Sequence, residues 1–191
     1  MKVIGIVCSP RKGGNTEILV REALDGAKSL GATVELILTG DKVIEPCNGC
    51  DTCIRTEVCK IDDDMQEIYR KLVDADGIIL GTPVYWINVS AQAKLLIDRT
   101  YALLYTGQKL RNKVGGAIVA VRRVGGGQVL GYLYMFFTIH GMLIAGGTIG
   151  YGWKKGDVVQ GDGMLWKALD EARAVGESVV RLVKRMEGDA D

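Results

Sequence analysis

Val3-Ile4-Gly5-Ile6-Val7-Cys8-Ser9-Pro10-Arg11-Lys12-Gly13-Gly14-Asn15-Thr16 is the stretch on which the fold turns. An apolar run of strand length breaks at Ser9-Pro10 and passes through paired glycines into an amphipathic segment. Val3–Val7 reads as a buried strand. Residues 15–30 read as a helix with Val20, Leu24, Ala27 and Leu30 on one face, stopped by Gly31. A strand, a glycine-bearing loop and a helix start together make an anion site. Free backbone N–H groups point at the ligand, and the helix dipole favours negative charge. Ser9, Asn15 and Thr16 add hydroxyl and amide hydrogen bonds. Gly13 and Gly14 let the backbone come close or take a positive φ, and Arg11 and Lys12 can screen charge. The loop is not a Walker A motif, because Lys12 precedes the glycines, and it is not the dinucleotide fingerprint, because Gly-x-Gly-x-x-Gly is absent from it. Taken alone it can also be a capped turn.

Outward from this stretch, short β-branched runs alternate with longer amphipathic ones. Residues 33–38 form a second strand. A long loop, 39–61, carries Pro46 and four cysteines, and a loop of that length inside a compact domain is usually functional. Residues 62–74 read as a helix with Asp62, Asp63 and Asp64 in its first turn. Residues 77–81 form a third strand. Ser90 caps a helix that turns Ala93, Leu96, Ile97 and Leu104 inward. Residues 115–121 form a fourth strand, 128–140 a helix, 143–151 contain a fifth strand, and 165–186 form a final helix striped by Leu165, Leu169, Ala172, Val179, Val183 and Met186. This alternation predicts the α/β class: a doubly wound, five-stranded parallel sheet covered on both faces, with right-handed crossovers. The expected order is the flavodoxin-like 2-1-3-4-5, with the cysteine loop inserted after strand 2 and a ligand where strands 1 and 3 diverge.

The 191 residues suit one domain spanning 1–191. Lys and Arg number 24 against 23 Asp and Glu, a net charge of +1 that argues against a nucleic-acid partner. No segment reads as a membrane span, and Val3–Cys8 is too short for a signal-peptide core. The expected location is cytoplasmic, where thiols stay reduced, so the five cysteines need a reason other than disulfides.

Two further strand ends support a flat ligand. Strand 3 ends at Gly81-Thr82-Pro83-Val84-Tyr85-Trp86, beside the phosphate-type loop. Its backbone can read a ring edge, and Tyr85 or Trp86 can cover a ring face. Strand 4 ends at Arg122-Arg123-Val124-Gly125-Gly126-Gly127-Gln128, where three glycines leave the backbone open to approach. Each feature also has a plain reading, as core packing for the aromatics and a turn for the glycines. The pattern resembles the flavodoxin-like NAD(P)H-dependent FMN reductase family in Ser9-Pro10-Arg11 to Asn15-Thr16, in Thr82 to Trp86, in Lys94 to Asp98 and in Gly125 to Gln128. That resemblance implies FMN, with its phosphate on Ser9, Arg11, Gly14, Asn15 and Thr16. It places the isoalloxazine against Pro83, Val84, Tyr85, Trp86, Gly125, Gly126 and Gly127.

Cys47-x2-Cys50-x2-Cys53-x5-Cys59 is the strongest signal in the chain. Three cysteines at two-residue gaps can turn their thiolates to one point and a fourth can close the site, as in the opening of a bacterial ferredoxin motif. The fit is not complete, since the last gap is five residues and Lys60, not proline, follows Cys59. With only one such set, all four would bind a single [4Fe–4S] cluster. Structural zinc usually takes two separated pairs, so it is the rival. Cys8, at the end of a core strand, reads as a small buried hydrophobe.

The cysteine loop on this frame resembles the iron-sulfur flavoprotein (Isf) family. The resemblance implies one [4Fe–4S] cluster and one FMN per subunit, and homodimers or homotetramers in which a cluster approaches a neighbour's FMN. It implies a ferredoxin-like electron donor and a small acceptor such as oxygen or peroxide. Two other functions stay open: an NAD(P)H-dependent FMN or quinone reductase with a structural cysteine loop, and a non-enzymatic redox sensor. No acid–base residue is assigned, because the cofactors carry the chemistry. His140, the only histidine, lies in an apolar stretch and is expected to be structural. Tyr132, Tyr134, Phe136 and Phe137 crowd one helix, and some of these rings are expected to meet a second subunit.

Overall fold

The computed structural model describes residues 1–159 and 168–188. Its frame is set by five apolar segments that pair in parallel. These are β1 (Lys2–Val7), β2 (Thr33–Leu38), β3 (Gly77–Pro83), β4 (Val114–Val121) and β5 (Leu143–Tyr151), in the order β2-β1-β3-β4-β5. Alternate residues of each strand feed opposite faces. Val3, Val7, Ile79 and Ile118 enter one core with Leu19, Val20 and Val179; Ile4, Ile6, Ile78, Leu80, Ala117 and Val119 enter the other with Ile68, Leu72, Leu96, Leu133 and Phe137. Helices α1 (Asn15–Ser29) and α7 (Ala168–Glu187) cover the first face. Helices α3 (Met65–Asp74), α4 (Ala91–Arg99), α5 (Tyr101–Leu104) and α6 (Gly126–Ile139) pack on the second; the five-residue α2 (Thr52–Thr56) lies in the cysteine segment. The expected flavodoxin-like sheet order is therefore the observed one.

Several boundaries differ from the sequence reading, each for a local reason. The acidic run before α3 does not form its first turn. Asp63 accepts the N–H of Glu45 (2.8 Å) and of Met65 (3.0 Å), and Asp64 accepts the N–H of Val43 (2.7 Å), so these carboxylates hold the preceding loop and the helix starts at Met65. Ser90 caps α4 as expected, its hydroxyl accepting the Ala93 N–H at 3.1 Å. That helix gives way at Thr100 to α5, which buries Ala102 and Leu103 in place of Leu104. Helix α6 starts at Gly126, two residues before the expected start, so the glycine run enters a helix. Leu165, expected at the start of the last helix, lies outside the described residues.

Helices α1 and α7 cross at backbone contact. A Cβ on Gly176 would overlap the Ala23 carbonyl oxygen, and one on Gly26 would overlap that of Arg173. Neither obstacle is a side chain that can rotate away. On the other face, His140 is 3% exposed and sits edge-on to Phe136. The Thr100 hydroxyl donates to the Ile97 carbonyl (2.6 Å), so it accepts from His140 Nε2 at 3.0 Å, leaving Nδ1 as an unprotonated, unpartnered acceptor. Burial lowers the His140 pKa to about 4.

Two outcomes follow from this packing. Gly176→Ala, although alanine is the better helix former, lowers unfolding free energy by about 1–3 kcal/mol through overpacking, read as a lower urea midpoint at unchanged slope. His140 is neutral when folded and charged when unfolded between about pH 4 and its ordinary 6.5. Its contribution is therefore complete above pH 6.5 and is lost as pH falls towards 4, by on the order of 3 kcal/mol. In His140→Leu the urea midpoint loses that part of its pH slope.

Candidate functional site

A parallel sheet brings the carboxyl ends of its strands to one edge, and here ladder bonds continue past the strands to hold the loops. Cys8 N–H donates to the Gly81 carbonyl (2.8 Å), Val84 N–H to Ala120 (2.8 Å) and Gly152 N–H to Val121 (3.0 Å). The Ser90 hydroxyl donates to the Cys8 carbonyl (2.6 Å) while Ser90 N–H donates to Thr82 Oγ1 (3.1 Å), so the ends of β1 and β3 share the start of α4. A cleft of about 270 Å³ opens between these loops.

One wall is the phosphate-type loop. Ser9, Arg11, Gly14, Asn15 and Thr16 line the cleft, and Gly13 takes φ +61°. The first intrahelical bond of α1 is that of Ile18, so the N–H groups of Asn15, Thr16 and Glu17 are left without backbone acceptors. Glu17 accepts the Gly13 N–H (2.7 Å) and pairs with Arg21. Desolvation raises its pKa, but those two partners outweigh it and keep the carboxyl below its usual range. The Asn15 side chain, at the cleft wall, is bonded within the protein. Its Nδ2 donates to the Lys154 carbonyl (2.9 Å) and its Oδ1 accepts the Gly156 N–H (2.7 Å), which fastens the segment after β5 over the cleft.

That segment was not legible as part of the site. It brings Trp153, Lys154 and Lys155 to the cleft, so Arg11, Arg122, Lys154 and Lys155 surround it and no Asp or Glu is among its described lining residues. Arg122 and Arg123 flank the Trp153 ring at 5.3 and 5.4 Å. Pro83, Val84 and Tyr85 also line the cleft. Trp86 does not join them. It is 100% exposed at the tip of a tight turn, with φ +52° followed by φ +60° at Ile87, closed by the Tyr85–Asn88 bridge. Trp86 lines an adjoining depression that shares Val84, Val121 and Arg122 with the cleft. Gly125, Gly126 and Gly127 are outside the cleft wall. Gly125, with φ +92°, caps α6 beneath Ile87 and Val84, and Gly126 packs on Ile149.

The second site is the cysteine segment. Left-handed residues at Asp51 (φ +52°) and Glu57 (φ +59°) turn the chain sharply on either side of α2. Cys47, Cys50, Cys53 and Cys59 all carry free thiols and line one cavity, whose wall also includes Arg99 and Tyr101. Burial raises the Cys53 pKa, and the neighbouring Cys59 and Cys50 thiols raise it further. Hydrogen bonds at Thr52 lower that of Cys50. Among the described residues, no three histidine, cysteine, aspartate or glutamate side chains meet closely enough to hold one ion. Cys8 is separate: it is fully buried in the core, and burial pushes its pKa up to about 12, so it stays a protonated thiol. Arg99, the last residue of α4, is 1% exposed and donates to Asp63 Oδ2 (2.5 Å), the Glu45 carbonyl (2.8 Å) and Cys59 Sγ (3.5 Å).

Comparison with known proteins gives the family. The family described as NADPH-dependent FMN reductase matches residues 1–153. An iron-sulfur flavoprotein of Methanocaldococcus jannaschii is 44% identical over 194 residues, covering 96% of this chain and 98% of that protein. One from Methanosarcina thermophila is 35% identical over 188 residues, covering 97% and 93%. Among solved structures, an NAD(P)H:quinone oxidoreductase from Methanothermobacter marburgensis superposes with a TM-score of 0.73 at 16% identity, covering 94% of this chain and 96% of that one, a likeness of fold. No helix among the described residues is long and apolar enough to cross a membrane. With this family match and these relatives, the chain is a flavin-dependent oxidoreductase. It belongs to the iron-sulfur flavoproteins within the NADPH-dependent FMN reductase family.

Proposed function

We infer that the chain holds FMN in the cleft and one [4Fe–4S] cluster on Cys47, Cys50, Cys53 and Cys59, and passes electrons between a one-electron donor and a small acceptor. The observation that carries this reading is the lining of one cavity by all four cysteines of a single segment, on the same subunit as a cation-rimmed cleft. FMN exchanges one or two electrons and a cluster one at a time, so the pair converts single-electron delivery into two-electron reduction.

The residues fit both groups. The free first-turn N–H groups of α1 and the surrounding Arg11, Lys154 and Lys155 suit a phosphate dianion. Pro83, Val84 and Tyr85 offer a flat apolar wall for the ring, and the depression under Trp86 and Ile87 extends it towards Gly125. Two bulky residues in succession at positive φ are costly, and such strain is kept where it serves a site. Four cysteines of one short segment lining one cavity suit a cluster better than structural zinc, which usually takes two separated pairs.

Exposed Met135 and Ile139 on α6 share a groove with Tyr101 and Leu104 of α5, next to the buried Phe136. This face is assigned to a second subunit of a homodimer or homotetramer. The donor proposed is ferredoxin-like, and the acceptor oxygen, peroxide or a similarly small molecule.

Protein purified without oxygen is expected to contain iron, acid-labile sulfide and FMN and no stoichiometric zinc. Cys50→Ala loses iron and keeps FMN; zinc in place of iron would refute the cluster. Under argon, a ferredoxin system reduces the flavin and NADPH alone does not. Rapid bleaching by NADPH would instead assign a reductase with a structural cysteine loop. Lys154→Glu combined with Lys155→Glu weakens FMN binding on the order of tenfold, about 1.4 kcal/mol, in fluorescence titration, with little effect on riboflavin.

A further inference from the structure

We propose that Arg99 is a positioning residue for the cluster, clamping both ends of the cysteine segment and aiming an N–H at the Cys59 sulfur so that the reduced cluster is favoured. This rests on the reading that Cys59 is a cluster ligand.

Arg99 closes α4, a helix of the main core, yet its guanidinium belongs to the cysteine segment. Nη1 bonds Asp63 Oδ2 at 2.5 Å and the Glu45 carbonyl at 2.8 Å, and Nη2 bonds Asp63 Oδ1 at 3.1 Å and Cys59 Sγ at 3.5 Å. Glu45 lies just before Cys47 and Asp63 just after Cys59, so one planar fork spans the entry and the exit of the ligand segment. The fork is itself fixed: Tyr69 lies beneath it with its ring centroid 5.9 Å away and donates its hydroxyl to the Arg99 carbonyl at 2.8 Å.

The plain alternative is a self-satisfied buried ion pair. Two observations go beyond it. Asp63 occupies only two of the five guanidinium N–H bonds, and one of the rest already points at sulfur. Arg99 Nε is buried with no acceptor at all, although Arg99 forms part of the cavity wall. A buried donor left unpaired is destabilising, and an occupant rich in anionic sulfur supplies acceptors that the chain does not. Hydrogen bonds to cluster sulfurs are among the levers that set reduction potential. Donors favour the more negative, reduced state, so their loss lowers the potential. Lysine at this position keeps the charge but cannot reach Glu45, Asp63 and Cys59 together.

The test uses the whole protein, loaded anaerobically with ferrous iron and sulfide. Arg99→Lys is expected to keep its iron and FMN and to show a tenfold lower ratio of reduced to oxidised cluster at fixed potential, a fall of 59 mV for one electron, with the FMN potential unmoved. A loaded Arg99→Lys protein titrating like wild type overturns the proposal. If that variant fails to fold or load, wild-type protein labelled with ¹⁵N-arginine decides. Pulsed EPR of the reduced cluster shows guanidinium nitrogen coupling if Arg99 approaches the sulfur, and the absence of any arginine coupling overturns the proposal. Wild-type protein that takes up no iron removes the cluster reading and this inference with it, whereas iron without arginine coupling removes this inference alone.

Discussion

A parallel sheet buried on both faces cannot scatter its loops: every strand ends at the same edge. That constraint fixes where chemistry can occur in this chain. Strand β4 has no exposed residue from Val114 to Val121, and β1 is covered from Val3 onward. Both faces being occupied by helices, a ligand at this end is received between the loops. The bonds that extend the ladder beyond β1, β3 and β5 then set the spacing of those loops. Ser90, reaching from α4 to the Cys8 carbonyl, ties that spacing to the helix whose far end carries Arg99. Cleft and cysteine cavity are thus built on the two ends of one short helix.

How much of this was legible depended on whether the signal was local. The sheet order, the loop from Ser9 to Thr16 and the wall at Pro83, Val84 and Tyr85 follow from periodicity and from residues adjacent in sequence. An aromatic beside a ligand loop usually packs, so sequence offers Tyr85 or Trp86 as a ring cover, and Trp86 is fully exposed. The tight turn it shares with Ile87 carries it outward instead, and nothing in Tyr85-Trp86-Ile87-Asn88 announces two successive positive φ values. Gly125, Gly126 and Gly127 were read as an open loop, but three glycines can also enter a helix when the first takes a positive φ and caps it. The Trp153-Lys154-Lys155 contribution was missed because it depends on Asn15, far away in sequence, reaching across to the Lys154 carbonyl. An aromatic and two lysines directly after a fifth strand was the available hint. Arg99 gave no hint, since a cation at a helix end is ordinary and only tertiary structure shows it buried against Asp63.

The cysteine segment is the least self-sufficient part of the molecule. Between Thr39 and Ile61 only Thr39 and Cys53 are buried, and α2 is a single turn held between two left-handed residues. Ordering a residue's backbone costs about 1–2 kcal/mol, and this segment has almost no apolar burial to set against that cost. What holds it are polar ties at its margins: Asp64 to Val43, Asp63 to Glu45, Gln66 to the Cys59 and Ile61 carbonyls, Tyr101 to Asp51, and the Arg99 fork. Ties at the margins fix the ends of a loop and leave its middle to whatever the four thiols bind. Ligand binding and ordering of such a segment are one equilibrium, as in small metal-dependent domains. The spacing of the cysteines can then vary, provided the two ends are fastened. This explains how a last gap of five residues, with Lys60 where a ferredoxin motif has proline, is compatible with a single site. Closure is set by Asp63 and Arg99 beyond the motif, and the motif itself needs only to present its sulfurs to the same space.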